Sequence, residues 1–302
     1  MAYGLQTYQD GAKREDLTDV LSDVSPDANP LMTMLGTTKA SGTYHEWLED
    51  YISRDTSVAT AVEGADVTFS DLTQPSRRGN FTHIISKAFK VSGTESAVDV
   101  AGMGDPFDYQ ASKALRQWKN SAEYALVNGA AASGSSGIAR QMIGITAVTT
   151  SHSTARNSGT SLSETEFNAM VSDVWSDVGP DDVFDIVLVP FGLKQKISTF
   201  TAGNTRYLDA TDKKLVRPVM VYESDGGIHR IFGHKDVNNS GGTSHFLGIK
   251  EDKWKVSYLR PVSRKEVPAV GDYKAGYYIG ELTLEYRSER TGVKRTGYAQ
   301  AG

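Results

Sequence analysis

The six histidines, His45, His83, His152, His229, His234 and His245, are the residues of this 302-residue chain best suited to proton transfer or metal binding. None sits in an HExxH pattern or near a carboxylate at ligand spacing. There is no cysteine, so disulfides, thiolate metal sites and cysteine nucleophiles are excluded together. His229 and His234 flank a predicted strand five residues apart, which puts them on opposite faces of a regular strand. The histidines are read as surface or interface residues.

Other chemistry-bearing motifs fail on spacing. The glycine-rich run Gly129–Gly137 follows a predicted helix and has no Gly-Lys-Ser/Thr ending, so it is no phosphate loop. Gly102 and Gly104 make no dinucleotide fingerprint. The run Gly134-Ser135-Ser136-Gly137 lacks both the spacing and the preceding strand of a serine-hydrolase elbow. Asp181 and Asp182 follow Gly179–Pro180 and precede a strand, the setting of a solvated turn. Arg287, Arg290, Lys294 and Arg295 could meet phosphates. Glu285 and Glu289 interleave with them, so a salt-bridged surface is the simpler reading. No catalytic, cofactor-binding or metal residue is assigned.

The elements that would position such residues are clearer than the residues themselves. Residues 1–13 read as an extended arm. Leu17, Val20, Leu21 and Val24 then recur at helical spacing within Arg14–Val24. Pro26 and Asn29–Pro30 end that helix, and Leu31, Met32, Met34 and Leu35 form a patch that must be buried. Two strand-like runs, Tyr44–Tyr51 and Phe81–Val91, enclose 29 residues, 52–80, dominated by Ser, Thr, Asp, Gly and Ala. A structureless loop of that length usually marks a functional projection. The simplest reading is a long hairpin leaving the body, whose strand edges need a neighbour to cover them.

Asp105 and Pro106 open the strongest helix, with Phe107, Ala111, Leu115, Trp118, Ala122 and Ala125 along one stripe. It is predicted to run to Ala131, about 40 Å. A Ser/Thr-rich linker, Thr149–Ser163, leads to a second unit. There Ser163 and Glu166 form a capping box, and Leu162 and Phe167 a hydrophobic staple. Phe167, Met170, Val171, Val174, Trp175 and Val178 make the next apolar stripe. A buried strand at Phe184–Val189, a helix at Phe191–Phe200 and strands at Val216–Tyr222, Ile228–Phe232, Thr243–Ile249, Trp254–Leu259 and Tyr277–Tyr286 complete an α+β chain without internal repeats.

Composition narrows the class further. Charged residues are 23% and hydrophobic residues 39%, a globular balance, and the net charge of −5 does not favour an anionic partner. The opening residues lack the apolar core of a signal peptide, and no run approaches the ~20 apolar residues of a membrane span. A soluble intracellular product is expected.

The order of parts, arm, long hairpin, long helix, α/β segment and closing strands, resembles the Hong Kong 97-type phage capsid fold. Arg14-Glu15-Asp16-Leu17-Thr18-Asp19-Val20, Ser25-Pro26, Asn29-Pro30-Leu31-Met32 and Thr43-Tyr44-His45-Glu46-Trp47 are similar to the opening of one family of phage major head proteins. The resemblance is sharpest over residues 10–51 and carries no catalysis. It implies an N-terminal arm at 1–43, an extended hairpin (E-loop) at 44–91, and a peripheral domain from 92–150 and 252–302 with its spine helix at 105–131. Residues 151–251 would form the axial domain.

The implied function is a major capsid protein that self-assembles into hexamers and pentamers of an icosahedral head around double-stranded DNA. Trp47, Tyr51, Arg54, Arg77, Arg78 and Trp118 are the expected subunit contacts. The resemblance also implies a portal protein, only weak non-specific contact with packaged DNA, no cofactor, no membrane, and assembly in the host cytoplasm. Only about 43 residues precede the hairpin, too few for another domain, so a separate scaffolding protein and a retained N-terminus are expected. Some shells of this fold are cross-linked through a hairpin lysine. There is no lysine between Lys39 and Lys87, so a noncovalent shell is expected. The other readings are an encapsulin-like compartment, a soluble hydrolase with an unrecognised site, and a tail or decoration protein.

Overall fold

The computed structural model describes residues 29–299 apart from 53, 55, 57, 59, 67–68, 70–73, 99–103, 201–220, 238–242 and 269. The helix predicted at 14–24 and most of the strand predicted at Val216–Tyr222 lie outside them. In chain order come α1 (Pro30–Met34), β1 (Gly36–Lys39), β2 (Tyr44–Glu49), β3 (Ser76–Phe81), β4 (His83–Ser92), α2 (Gly93–Ala97) and α3 (Pro106–Asn128). Then follow α4 (Ile145–Val148), β5 (Ser153–Thr160), α5 (Glu164–Val178), β6 (Ile186–Val189) and α6 (Phe191–Phe200). The chain closes with β7 (Val221–Ser224), β8 (Gly227–Gly233), β9 (Thr243–Ile249), β10 (Trp254–Val267), β11 (Tyr273–Tyr286) and β12 (Val293–Ala299). The strands form a four-stranded sheet β1-β10-β11-β4, a six-stranded sheet β5-β12-β9-β6-β8-β7, and a two-stranded ribbon β2-β3. Among the described residues, no helix is long and apolar enough to cross a membrane.

The chain divides into two units, and α3, β4, β10 and β11 contribute residues to each. The described part of the first holds 86–98, 104–118 and, apart from 269, 264–278. Its α3 starts where the sequence predicts: Asp105 Oδ1 accepts the Phe107 N–H at 2.8 Å, and Pro106 needs no partner at the first helical position. Phe107, Ala111 and Ala114 pack against Phe89, Val91 and Tyr278. Ala114 takes the turn that the spacing assigned to Leu115, which is half-buried. Gly276 lets Phe89 lie on the strand, because a Cβ there would meet Phe89 Cζ at 2.8 Å. Arg264 covers the pair, 5.0 Å from the Phe107 ring centre, and reaches Asp108 at 3.2 Å.

The second unit is built on the six-stranded sheet. All four residues of β6 are buried, which is why it reads as an unbroken apolar run. α5 packs Phe167, Met170, Val171 and Val174 onto the sheet beside Phe184, Val187, Ile231 and Phe246. Its cap is half of the predicted box: Ser163 Oγ accepts the Glu166 N–H at 3.3 Å, while the Glu166 carboxylate turns to Arg156 Nε at 2.6 Å. Leu162 and Phe167 share the core as the staple requires. Gly179 ends the helix at φ 87°, a conformation that favours glycine.

Five sequence expectations are corrected. The returning strand of the hairpin is β3, not 81–91; the strand is interrupted at Thr82, and β4 joins the sheet beside β11. The supposed linker 149–163 contains β5, paired parallel to β12 from Ser153↔Lys294 onward. β12 lies inside the six-stranded sheet between β5 and β9, so residues 293–299 belong with the elements of 151–251. Trp175 points outward, 49% exposed, instead of lining the α5 stripe. The long helix ends at Asn128, not 131, because Gly129 O turns to accept the Gly144 N–H at 2.9 Å, in a backbone approach that a Cβ would block at 2.5 Å from Met142 O. Gly134 and Gly137, at φ 78° and 88°, then turn the loop back on itself through Ala132↔Gln141 and Ser135↔Ile138.

Candidate assembly site

The ribbon β2-β3 is a two-stranded sheet of its own. It pairs antiparallel from Tyr44↔Phe81 to Glu49↔Ser76. Opposed residues share a face, so His45/Asn80, Trp47/Arg78 and Glu49/Ser76 line one side. Tyr44/Phe81, Glu46/Gly79 and Leu48/Arg77 line the other. On that side the Tyr44 ring sits 4.7 Å from Phe81 and over Gly79, where a Cβ would meet Tyr44 Cε1 at 2.7 Å. On the first side, Trp47 stands edge-on to Tyr286 at 4.9 Å.

The root of the ribbon is held by polar groups. Glu281, Thr283 and Glu285 alternate along β11 and so share one face, opposite the fully buried Leu282 and Leu284. Thr82 Oγ1 donates to Glu281 Oε1 at 2.6 Å, and Arg140 and Arg260 complete that carboxylate at 2.5 and 2.9 Å. Thr283 Oγ1 donates to Phe81 O at 2.9 Å. Glu285 gathers Thr38 Oγ1 at 2.7 Å, Ser257 Oγ at 2.9 Å and His45 Nε2 at 3.2 Å on one oxygen, and Arg287 Nε at 2.9 Å on the other. Asn80 bridges inward, donating to Leu284 O at 2.8 Å and accepting the Ile143 N–H at 2.9 Å. Burial alone would raise the Glu285 pKa; donation from Thr38, Arg287, His45 and Ser257 overcomes it and holds the carboxyl at about 2. Glu281 is likewise held below the usual range, against burial, by Thr82, Arg260 and Arg140.

The expected contact residues fall into three groups. Trp118 is 1% exposed, so its ring is used up inside its own subunit and is no contact surface. Arg77 and Arg78 reach Glu46 at 3.8 Å and Glu49 at 3.0 Å within the ribbon, instead of waiting for a neighbour's acids. Trp47 is half-buried on Tyr286, and Arg54 is exposed. Tyr51 is 41% exposed, yet its hydroxyl donates to Asp177 Oδ1 at 2.9 Å, and the Arg290 guanidinium lies 4.0 Å over its ring. Sequence reading missed the apolar side chains that the projection leaves bare: Leu48, Ile52, Val58, Val62 and Phe69 are 69–92% exposed. The signal was a scatter of large apolar residues in a segment otherwise polar.

Three of the six histidines are buried, and His45, His83 and His245 are half-buried. His229 and His234 are 0% and 2% exposed, and His152 is buried beside Asp173 and Asp177. His229 Nδ1 donates to Phe184 O at 2.8 Å, and its Nε2 accepts from Ser224 Oγ at 2.7 Å. Burial lowers its pKa to about 4, and the Phe167 and Phe184 rings enclose it, so this serine–histidine pair closes a turn and admits no substrate. Among the described residues no group of three His, Asp or Glu side chains could hold a metal ion. The basic cluster is structural: Arg290 meets Asp177 at 3.0 Å, Arg295 meets Asp173 at 2.8 Å, and Lys294 Nζ donates to Thr146 O at 2.7 Å. Asp182 pairs with Lys253 at 3.2 Å on its turn.

A family model described as SU10 major capsid protein matches residues 3–299. No curated protein sequence matches the chain. Among solved structures, the cyanophage A-1(L) capsid is 12% identical with a TM-score of 0.67, covering 99% of this chain and 100% of that one. The capsid of the native GTA particle is 10% identical at 0.66, covering 95% and 96%. The SrpI encapsulin of Synechococcus elongatus PCC 7942 is 11% identical at 0.61, covering 96% and 94%. At these identities the structures share the fold of this chain and speak to nothing finer.

Proposed function

The chain belongs to the SU10 major capsid protein family, and we propose that its copies assemble through the β2-β3 projection and the apolar side chains it leaves bare. As a major capsid protein it forms the icosahedral head of a phage particle. The family is a structural one.

The observation that carries the assembly route is the exposure of Leu48, Ile52, Val58, Val62 and Phe69 on one projection. Burying a side chain of this size is worth about 1.5–3 kcal/mol, so a lone subunit forgoes several such contributions that a neighbour can supply. In this reading the extended hairpin is 44–81, α3 is the spine of the peripheral domain, and the axial domain is the six-stranded sheet with residues 293–299 included. Hexamers and pentamers close the shell by repeating the same surfaces. A net charge of −5 leaves packaged double-stranded DNA confined instead of gripped. A separate scaffolding protein, a portal protein and assembly in the host cytoplasm complete the proposal.

Negative-stain microscopy of the purified chain tests it. Shells, rings or capsomers are expected. Monomers at every concentration and salt would overturn the assembly route.

A further inference from the structure

Besides Trp47 on Tyr286, the ribbon touches its own subunit at two places of different character. The first is the polar root on β11. The second is Tyr51, two residues past the end of β2 and six past His45, about 20 Å along an extended strand. There the Tyr51 hydroxyl donates to Asp177 Oδ1 at 2.9 Å and approaches Asp177 O at 3.2 Å. Asp177, in the last turn of α5, is itself fixed by Arg290 at 3.0 Å and His152 Nε2 at 3.3 Å. Arg290 also stacks on the Tyr51 ring at 4.0 Å, so one guanidinium holds the acceptor and the donor together. Asp177's hydrogen bond raises the Tyr51 phenol's pKa, so the donor proton persists through any physiological pH.

Close packing ends at Trp47 on Tyr286, short of Tyr51. An open cleft of about 540 Å³ lies at the Tyr51–Asp177 contact, lined by Asp50, Tyr51, Ile52, Asp177, Asp181 and Lys253 among others. Ile52, just beyond, is 88% exposed. A ribbon held only at its root can tilt; a second fixed point about 20 Å out turns each 1 Å of play into only about 3°.

We propose that Asp177, through Tyr51, is a positioning residue that sets the angle at which the hairpin leaves the subunit, and so the curvature with which neighbours join. The inference rests on the shell-subunit reading. Hexamers and pentamers close one shell only if that angle stays within a narrow range, and a looser projection makes shells of mixed size.

The test compares the full-length chain with Tyr51→Phe, which keeps the ring under Arg290 and removes only the hydroxyl, and with Arg290→Gln, which removes the stack. Hydrogen exchange on unassembled subunits should quicken roughly twofold to fivefold in 44–49 and 76–81, the effect of one surface hydrogen bond, while 186–189 and 243–249 stay unchanged. Microscopy of particles from the same preparations should show a broader spread of diameters for both variants. Wild-type exchange in the ribbon of both variants, or wild-type diameters despite faster exchange, overturns the inference. Absence of particles from the unmutated chain overturns the shell reading instead.

Discussion

His234 donates from Nε2 to Glu123 Oε1 at 3.0 Å, with both side chains out of contact with solvent. The tautomer is set by the other ring nitrogen, since Nδ1 accepts the Asp236 N–H at 3.1 Å. Glu123 uses its remaining capacity on α1: Oε1 also accepts the Leu31 N–H at 2.8 Å and Oε2 the Met32 N–H at 3.0 Å. One carboxylate of α3 therefore ties down both the 29–35 segment and the loop after β8.

Replacing Glu123 by Gln puts an amide NH₂ against a backbone N–H or against His234. A buried donor is left without an acceptor, which costs about 1–3 kcal/mol. Urea denaturation should show the midpoint falling with no change in slope. An unchanged midpoint would mean the carboxylate is not the tie.

Acid should weaken the second unit in two windows. The folded pKa of His229 is lowered from 6.5 to about 4, so the unfolded chain takes up this proton first; stability is full above pH 6.5 and falls as pH drops towards 4. The folded pKa of Glu285 is lowered from 4.5 to about 2, so its contribution is full above pH 4.5 and is lost as pH falls through 2. Denaturation midpoints between pH 7 and 4 report the first. Trp47 fluorescence between pH 4.5 and 2 reports the second, as the ribbon root loosens beside Tyr286. A midpoint flat from pH 7 to 4 contradicts the burial of a neutral His229.

Deleting 54–74 removes chain between the strands and leaves β2, β3 and the polar root intact. The thermal midpoint of the subunit should move by no more than a few degrees, because little buried surface is lost. Assembly should fail. Normal particle yield from the deletion would remove the hairpin from the assembly route.

The shell should come apart without breaking covalent bonds. The segment between Lys39 and Lys87 holds no amine nucleophile, and its arginines stay protonated. Particles boiled in detergent with reductant should run as a single band near 33 kDa. A surviving ladder of multimers would show a cross-link made elsewhere in the chain.

Local chemistry written into neighbouring residues was legible in the sequence. Asp105-Pro106, Ser163 with Glu166, and the unbroken run of β6 each announce their element within a few positions. What depended on distant partners was not. Ser76-Arg77-Arg78-Gly79 carries no strand pattern of its own and becomes β3 only because β2 supplies its hydrogen bonds. Trp118 looked like contact surface because a large aromatic on a helix stripe serves a core or an interface equally well. Asp177, Glu281 and Glu285 were ordinary acids until folding brought Tyr51, Thr82 and His45 to them.

The placement of β12 has a consequence in time. β5 is an edge strand whose neighbour in the sheet is β12, and Ser153 and its partner Lys294 are separated by some 140 positions of chain. At 5–20 residues per second, a ribosome needs roughly 7–28 s to make that stretch. Throughout it, β5 lacks β12. Its sequence, Ser-Thr-Ala-Arg-Asn-Ser-Gly-Thr, suits the wait, because an apolar strand left open that long would invite aggregation with other nascent chains. The polarity that makes residues 153–160 look like a linker is what keeps them soluble until the sheet can close.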